Sequence, residues 1–130
     1  ISLGLVGSEM CIRDSIEQIG HENLQNHENE LLTYAQKKLL ELEGIKIYGE
    51  KANRTGVVSF NLEGVGIASD TGMILDKMGI AVRTGHHCTQ PIMDFFSIAG
   101  TVRASFAVYN TLEEIDILVE GVKKAQKMLV

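Results

Sequence analysis

Two apolar periods alternate along this chain, and their order restricts the fold more than any other property. Leu24, Leu31, Ala35, Leu39 and Leu42 recur at three-, four- and seven-residue steps, which predicts one apolar helical face over about 22–42. Gly44 supplies its stop. Residues 45–48 and 57–61 (VVSFN) carry the β-branched and aromatic residues of two strands. A glycine-containing loop, 63–69, leads to a helix over about 70–78 that ends at Gly79, and a third strand follows over 80–83. Residues 91–96 suit a short helix with Pro91 in its first turn, and 101–106 a fourth strand. A last helix starts near Thr111, where Thr111 and Glu114 have capping-box spacing; its apolar face is Ile115, Leu118, Val119, Val122, Ala125 and Leu129. The order helix, two strands, helix, two strands, helix predicts a small two-layer α/β sandwich: one sheet of about four strands with helices packed on a face.

Residues 1–15 (ISLGLVGSEMCIRDS) stand outside this pattern. They show no amphipathic period, and they lack the basic start and cleavage site of a signal peptide. They resemble a translated sequencing-adapter tail, so they are expected not to be native and to contribute nothing to the fold. The native frame, residues 16–130, is then expected to be truncated, with its true N-terminal part missing.

The chain has 130 residues and a net charge of −5. Without Arg13, Glu9 and Asp14 of the first fifteen residues the balance is still −4. An acidic chain without a basic stripe is not expected to bind nucleic acid. No apolar run approaches the roughly 18 residues of a membrane span, so no membrane partner is expected. Cys11 and Cys88 are too few and too far apart for a disulfide framework, which points to a reducing compartment, the cytoplasm.

The one long connection, 85–100, carries the chemistry. A long loop in a compact domain is often functional, and this one contains Gly85-His-His-Cys-Thr-Gln-Pro91. Cysteine is a strong nucleophile as thiolate, which nearby cations and helix N-termini favour. His86 and His87 precede Cys88 directly, Arg83 stands five residues before it, and a helix start follows. A polar, histidine-flanked loop is a poor place to bury a small apolar side chain, so an inert structural thiol is the weaker reading. Zinc ligands from one segment sit two to five residues apart so that they can converge; His86, His87 and Cys88 are adjacent, and His21 and His27 fall on different helix faces. No metal is expected. A Cys-His hydrolase needs an orienting Asn or Asp and an oxyanion hole, which nothing in the sequence identifies. A phosphatase loop needs an arginine soon after the cysteine, and none follows. Arg103, in the otherwise small or apolar stretch Thr101-Val-Arg-Ala-Ser-Phe106, either points to solvent, the commoner fate, or binds a carboxylate bidentately. Gly64-Val-Gly66 lacks the further glycines and lysine of a phosphate cradle and reads as a turn.

From residue 16 onward the chain resembles the C-terminal domain of SUF-type cysteine desulfurases, in the class V aminotransferase family of fold-type I pyridoxal-phosphate enzymes. The segments that carry the resemblance are Gly79-Ile-Ala-Val-Arg-Thr-Gly-His-His-Cys-Thr-Gln-Pro91, Thr101-Val-Arg-Ala-Ser-Phe106 and Tyr109-Asn-Thr-Leu-Glu-Glu-Ile-Asp116. The resemblance implies that Cys88 is the nucleophile, taking sulfur from L-cysteine as a persulfide and releasing L-alanine. Arg103 then binds the substrate carboxylate, and Arg83, His86 and His87 shape the pocket and polarise the cysteine loop. The full-length enzyme is expected to use pyridoxal 5'-phosphate, to be a homodimer and to supply sulfur for iron–sulfur cluster assembly. The Schiff-base lysine in its Ser-x-His-Lys context is absent, so this chain alone is expected neither to bind the cofactor nor to turn over cysteine. Many relatives carry a His-Pro-His-Asp-like sequence where this chain reads Ile67-Ala-Ser-Asp70. Ser69 cannot replace a histidine as metal ligand, which favours a SufE-like sulfur acceptor over a zinc-containing one. A selenocysteine lyase-like enzyme shares the same loop, and a non-catalytic interaction domain is the third alternative.

Overall fold

The computed structural model describes residues 3–51 and 55–130. Its elements are α1 (Leu3–Ile19), α2 (His21–Leu40), β1 (Ile45–Tyr48), β2 (Val57–Leu62), α3 (Ala68–Lys77), β3 (Arg83–Gly85), α4 (Gln90–Phe96), β4 (Thr101–Ser105) and α5 (Leu112–Leu129). The four strands form one antiparallel sheet in the order β1-β2-β4-β3. Helices α2, α3 and α5 pack on one of its faces. The architecture is the two-layer α/β sandwich that the alternating periods predict.

Strand alternation decides which residues reach the core. Val58, Phe60 and Leu62 of β2 and Val102 and Ala104 of β4 are buried and meet Leu31, Leu39, Leu75, Ile115 and Val122 from the helices. Burying one such side chain stabilises the fold by roughly 1.5–3 kcal/mol relative to leaving it exposed. The intervening residues Ser59, Asn61, Thr101 and Arg103 must then point to the opposite face, because successive side chains of a strand alternate. Among the described residues, the short α4 is the one helix over that second face, with Phe96 edge-on to Tyr48 at 5.2 Å between ring centroids.

Two elements differ from expectation. Residues 80–82 lie outside the sheet, and β3 pairs only over Arg83–Gly85. Ile80 and Val82 still pack on the core, so their apolar character marked burial and not a ladder. Residues 3–19 form α1 although they show no apolar period. Among its described side chains, residues 11–19, none is buried. Local contacts accompany the helix: Arg13 pairs with Glu17 at 2.8 Å and Ser15 Oγ donates to the Cys11 carbonyl at 2.8 Å. A helix closes its own backbone bonds within the segment, so a period is needed for packing rather than for turns. Gly20, at φ 86°, separates α1 from α2.

The start of α5 follows its sequence signal. Thr111 is the N-cap; its Oγ1 accepts from Glu114 N–H at 3.3 Å, and Glu114 Oε2 accepts from Thr111 N–H at 3.1 Å. A further bond from the Asn110 side chain, then the Thr111 amide, holds the Glu114 carboxyl below its ordinary pKa. Replacing Thr111 by alanine leaves one of these N-terminal donors unpaired and is expected to lower stability by about 1 kcal/mol in urea denaturation.

Candidate active site

The site grows from the strand register. Tyr48 lies opposite Ser59, Ser59 opposite Arg103, and Arg103 opposite Arg83. These four form one row across all four strands, on the face away from the core. Two guanidinium groups are thus cross-strand neighbours, an arrangement that destabilises a sheet unless an anion lies between them. Among the described residues neither arginine has an ion-pair partner. Arg103 is half-buried and its Nε is buried without a hydrogen-bond partner. Two more buried polar atoms lack partners here, Asn61 Oδ1 and His87 Nδ1.

Between this row and α4 lies a cavity of about 360 Å³. Ser59, His87, Thr89, Thr101 and Arg103 form its polar lining, and Ile92, Met93 and Phe96 belong to its apolar side. A second groove, of about 340 Å³, runs along Ile80, Phe106 and Ile117. Among the described residues the only ionisable one lining it is Glu114, which is committed to the capping box, so the groove offers little chemistry.

The cysteine loop enters the first cavity from β3. Gly85, at φ 119°, turns the chain out of the strand, a conformation open mainly to glycine. His87 and Cys88 follow at φ 52° and 59°, both left-handed, which is rare for residues with a side chain and is found most at functional sites. His86 Nδ1 accepts the Cys88 amide proton at 3.0 Å. The His86 carbonyl accepts from the Thr89 amide at 2.9 Å and from Thr89 Oγ1 at 2.7 Å. His87 Nε2 lies 3.1 Å from both the carbonyl and Oγ1 of buried Thr101. The carbonyl can only accept, so this nitrogen carries the proton and Nδ1 is the free acceptor. α4 starts directly after the loop with Pro91 in its first turn, as expected.

The structure therefore brings Arg103 and His87 to one cavity, sets Arg83 beside Arg103, and puts His86 on the backbone of Cys88. Cys88 does not itself line the cavity. It is exposed at the rim, between His87 and Thr89, which do. Ser59, Thr101 and Tyr48 complete the cavity, and Asn61 shares their face of the sheet beside it; none of the four was singled out from the sequence. The outward alternation of VVSFNL marks Ser59 and Asn61 as one face, but only the register shows that this face is Arg103's. No group of three or more His, Cys, Asp or Glu side chains that could hold a metal occurs among the described residues, and no helix among them is long and apolar enough to cross a membrane.

His87 is the titratable residue most perturbed by this setting. Desolvation lowers its pKa below 6.5; the hydrogen bond to the Thr101 carbonyl is the next-largest effect and opposes it, and the charges of Arg103, Arg83 and the neighbouring His86 add smaller lowering contributions. The unfolded chain takes up a proton here as the pH falls through about 6.5, while the folded chain stays neutral until its lower pKa. Stability linked to neutral His87 is complete above pH 6.5 and is lost as the pH falls towards the folded value. Titration of the His87 ring by NMR is expected to give a midpoint below 6.5, and Arg103→Gln is expected to raise it; an unchanged midpoint would separate the two side chains electrostatically.

Comparison with known proteins bears on the family of the chain. The aminotransferase class-V family profile matches residues 2–118. A probable cysteine desulfurase of Halalkalibacterium halodurans is 45% identical over 127 residues, covering 98% of this chain and 30% of the relative. A cysteine desulfurase of Serratia proteamaculans is 44% identical over 126 residues, with 97% and 30% covered. Among solved structures, the cysteine desulfurase CsdA of Escherichia coli (S-sulfonic acid) superposes with a TM-score of 0.82 at 31% identity, covering 90% of this chain and 29% of that one. The apo cysteine desulfurase of Thermococcus onnurineus NA1 gives 0.77 at 39% identity, with 89% and 28% covered. The chain thus spans about 30% of the length of these curated relatives. With its profile matched along most of its length, the chain belongs to the class V aminotransferase family.

Proposed function

We propose that this chain is the C-terminal, cysteine-bearing part of a pyridoxal-phosphate-dependent cysteine desulfurase, in which Cys88 accepts sulfur from L-cysteine as a persulfide and L-alanine is released. The observation that carries this reading is the pairing of an exposed Cys88 with unpaired arginines. The thiol stands at the rim of a cavity in which Arg103, with Arg83 beside it, has no counter-charge among the described residues. A small amino acid whose carboxylate meets Arg103 supplies the missing anion and brings its side-chain sulfur within the loop's neighbourhood.

In this reading the Cys88 thiolate attacks the substrate sulfur, a sulfur–sulfur bond forms and the carbon–sulfur bond breaks. The electron pair left on carbon needs a sink, which is the chemistry that pyridoxal phosphate supplies. The described residues of this chain do not fit that group as its holders: among them no lysine lines the Arg103 cavity. The cofactor therefore belongs to the part of the relatives' length that this chain does not span. We assign residues 1–15 to a foreign adapter-derived segment, so that 16–130 is the native domain. The full-length enzyme is then a cytoplasmic homodimer serving iron–sulfur cluster assembly. Ser69 is exposed in the first turn of α3 and offers no imidazole for exchange at a zinc-containing acceptor, which favours a SufE-like one.

A chimera tests the reading. Residues 16–130 replace the matching part of the H. halodurans relative, and alanine formation and the mass of Cys88 are followed with cysteine as substrate. The chimera is expected to show Schiff-base absorbance, to release alanine and to gain the mass of one sulfur atom on Cys88. The 130-residue chain alone is expected to show none of these. A folded, cofactor-loaded chimera whose Cys88 never gains sulfur would exclude the proposed role.

A further inference from the structure

The two adjacent histidines before Cys88 make different hydrogen bonds, and the difference assigns them different tasks. His87 is tied to β4: its Nε2 meets the carbonyl and hydroxyl of Thr101 at 3.1 Å each. His86 is exposed and reaches no strand among its described bonds; its Nδ1 turns back on the loop and accepts the Cys88 amide at 3.0 Å. We propose that His86 is a positioning residue, whose imidazole clamps the Cys88 amide and so holds Cys88 in the left-handed conformation that presents its thiol at the cavity rim.

Three observations support the clamp. Cys88 has φ 59° directly after His87 at φ 52°, so two successive residues with side chains occupy a region that L-residues avoid. Such a conformation persists only where surrounding contacts over-determine it. The contacts are present. The imidazole holds the amide of residue 88 from one side, and the His86 carbonyl holds both the amide and the hydroxyl of Thr89 from the other. One residue thus brackets the cysteine. The role also limits what else His86 can do. A nitrogen that accepts an amide proton is unprotonated and occupied, so Nδ1 is not free to take the proton of the thiol. The inference rests on the reading of Cys88 as sulfur acceptor for its purpose, though not for its geometry.

The test uses the 130-residue chain with Cys11→Ser, so that Cys88 is the only thiol. In ¹⁵N-labelled protein, a coupling across the hydrogen bond is expected between the Cys88 amide nitrogen and His86 Nδ1, together with the strong intraresidue amide–Hα contact of a left-handed residue. In His86→Ala both signals are expected to be lost, and the plateau rate of Cys88 alkylation by iodoacetamide at high pH, where the thiol is fully ionised, is expected to change several-fold. In His86→Asn, whose amide oxygen can accept the same proton, the left-handed contact and the alkylation rate are expected to return towards the parent values. A folded parent without the nitrogen–nitrogen coupling would overturn the proposal, as would His86→Ala with an unchanged left-handed contact and rate. If His86→Ala does not fold, the parent coupling and the asparagine variant still decide. Because these signals need neither cofactor nor turnover, their failure would leave the desulfurase reading standing. Conversely, a Cys88 that never accepts sulfur in the chimera would leave the clamp intact.

Discussion

Replacing Cys88 by serine in the chimera is expected to abolish alanine formation and to leave no added sulfur on the domain, with a fall in turnover of at least about 10³-fold, in line with losses seen when a covalent nucleophile is removed. A hydroxyl is slightly smaller than a thiol and leaves the loop's bonds in place, but it is a far weaker nucleophile towards sulfur than a thiolate. The loop geometry supports a clean substitution. The bonds that shape it come from the His86 side chain and carbonyl, the Cys88 backbone amide and Thr89, none of which involves the sulfur. The variant should therefore bind cysteine as the parent does and stop at the sulfur-transfer step. Steady-state alanine release and the mass of the trapped domain measure the two quantities separately. A serine variant with half the parental rate would show that sulfur leaves by a route other than Cys88.

Arg103 is expected to show the second large effect, with opposite signs in two measurements. In the chimera, Arg103→Ala removes the fork that meets the carboxylate and is expected to lower kcat/KM by roughly 10²- to 10³-fold, the range for truncating one partner of a hydrogen-bonded charge pair. Arg103→Lys keeps the charge without the planar bidentate geometry and should recover only part of the loss. In the 130-residue chain alone the same position is a liability. Its Nε is buried without a partner and Arg83 stands directly across the strand pair. Arg103→Met relieves both and is expected to stabilise the free chain by about 1 kcal/mol, a rise of roughly 3–5 °C in Tm. A methionine variant that melts below the parent would show that the guanidinium is already paired, and the carboxylate reading would lose its basis. This exchange of stability for function is the usual signature of a group placed for a ligand rather than for the fold.

Much of the fold was legible because its signals are local. The helical step pattern of Leu31, Ala35 and Leu39, the Thr111–Glu114 capping box and the alternation in VVSFNL each lie within a few residues, and each forms the expected element. The misjudged segments are those where burial and hydrogen bonding part company. Residues 80–82 are apolar because they pack on the core, not because they pair. α1 needs no apolar stripe to close its own turns. For the site, the type and order of Arg83, His86, His87, Cys88 and Arg103 were readable, since chemical character is a property of single residues. Thr101, Ser59 and Asn61 were not, because a small polar residue acquires a role only from what stands opposite it.

The sequence by itself determined which residues can do chemistry here, the order of the elements that carry them, and the long connection in which Cys88 sits. Only the tertiary structure decided that Arg83 and Arg103 are neighbours and that His87 is tied to Thr101. The physical reason is strand register. A slip of one residue in β4 would turn Arg103 into the core and Val102 into the cavity, and no local feature of Thr101-Val-Arg-Ala-Ser105 excludes it. The register is set by the summed burial of Val58, Phe60, Val102 and Ala104 against three helices drawn from across the chain, and the candidate active site is the face that this burial leaves over.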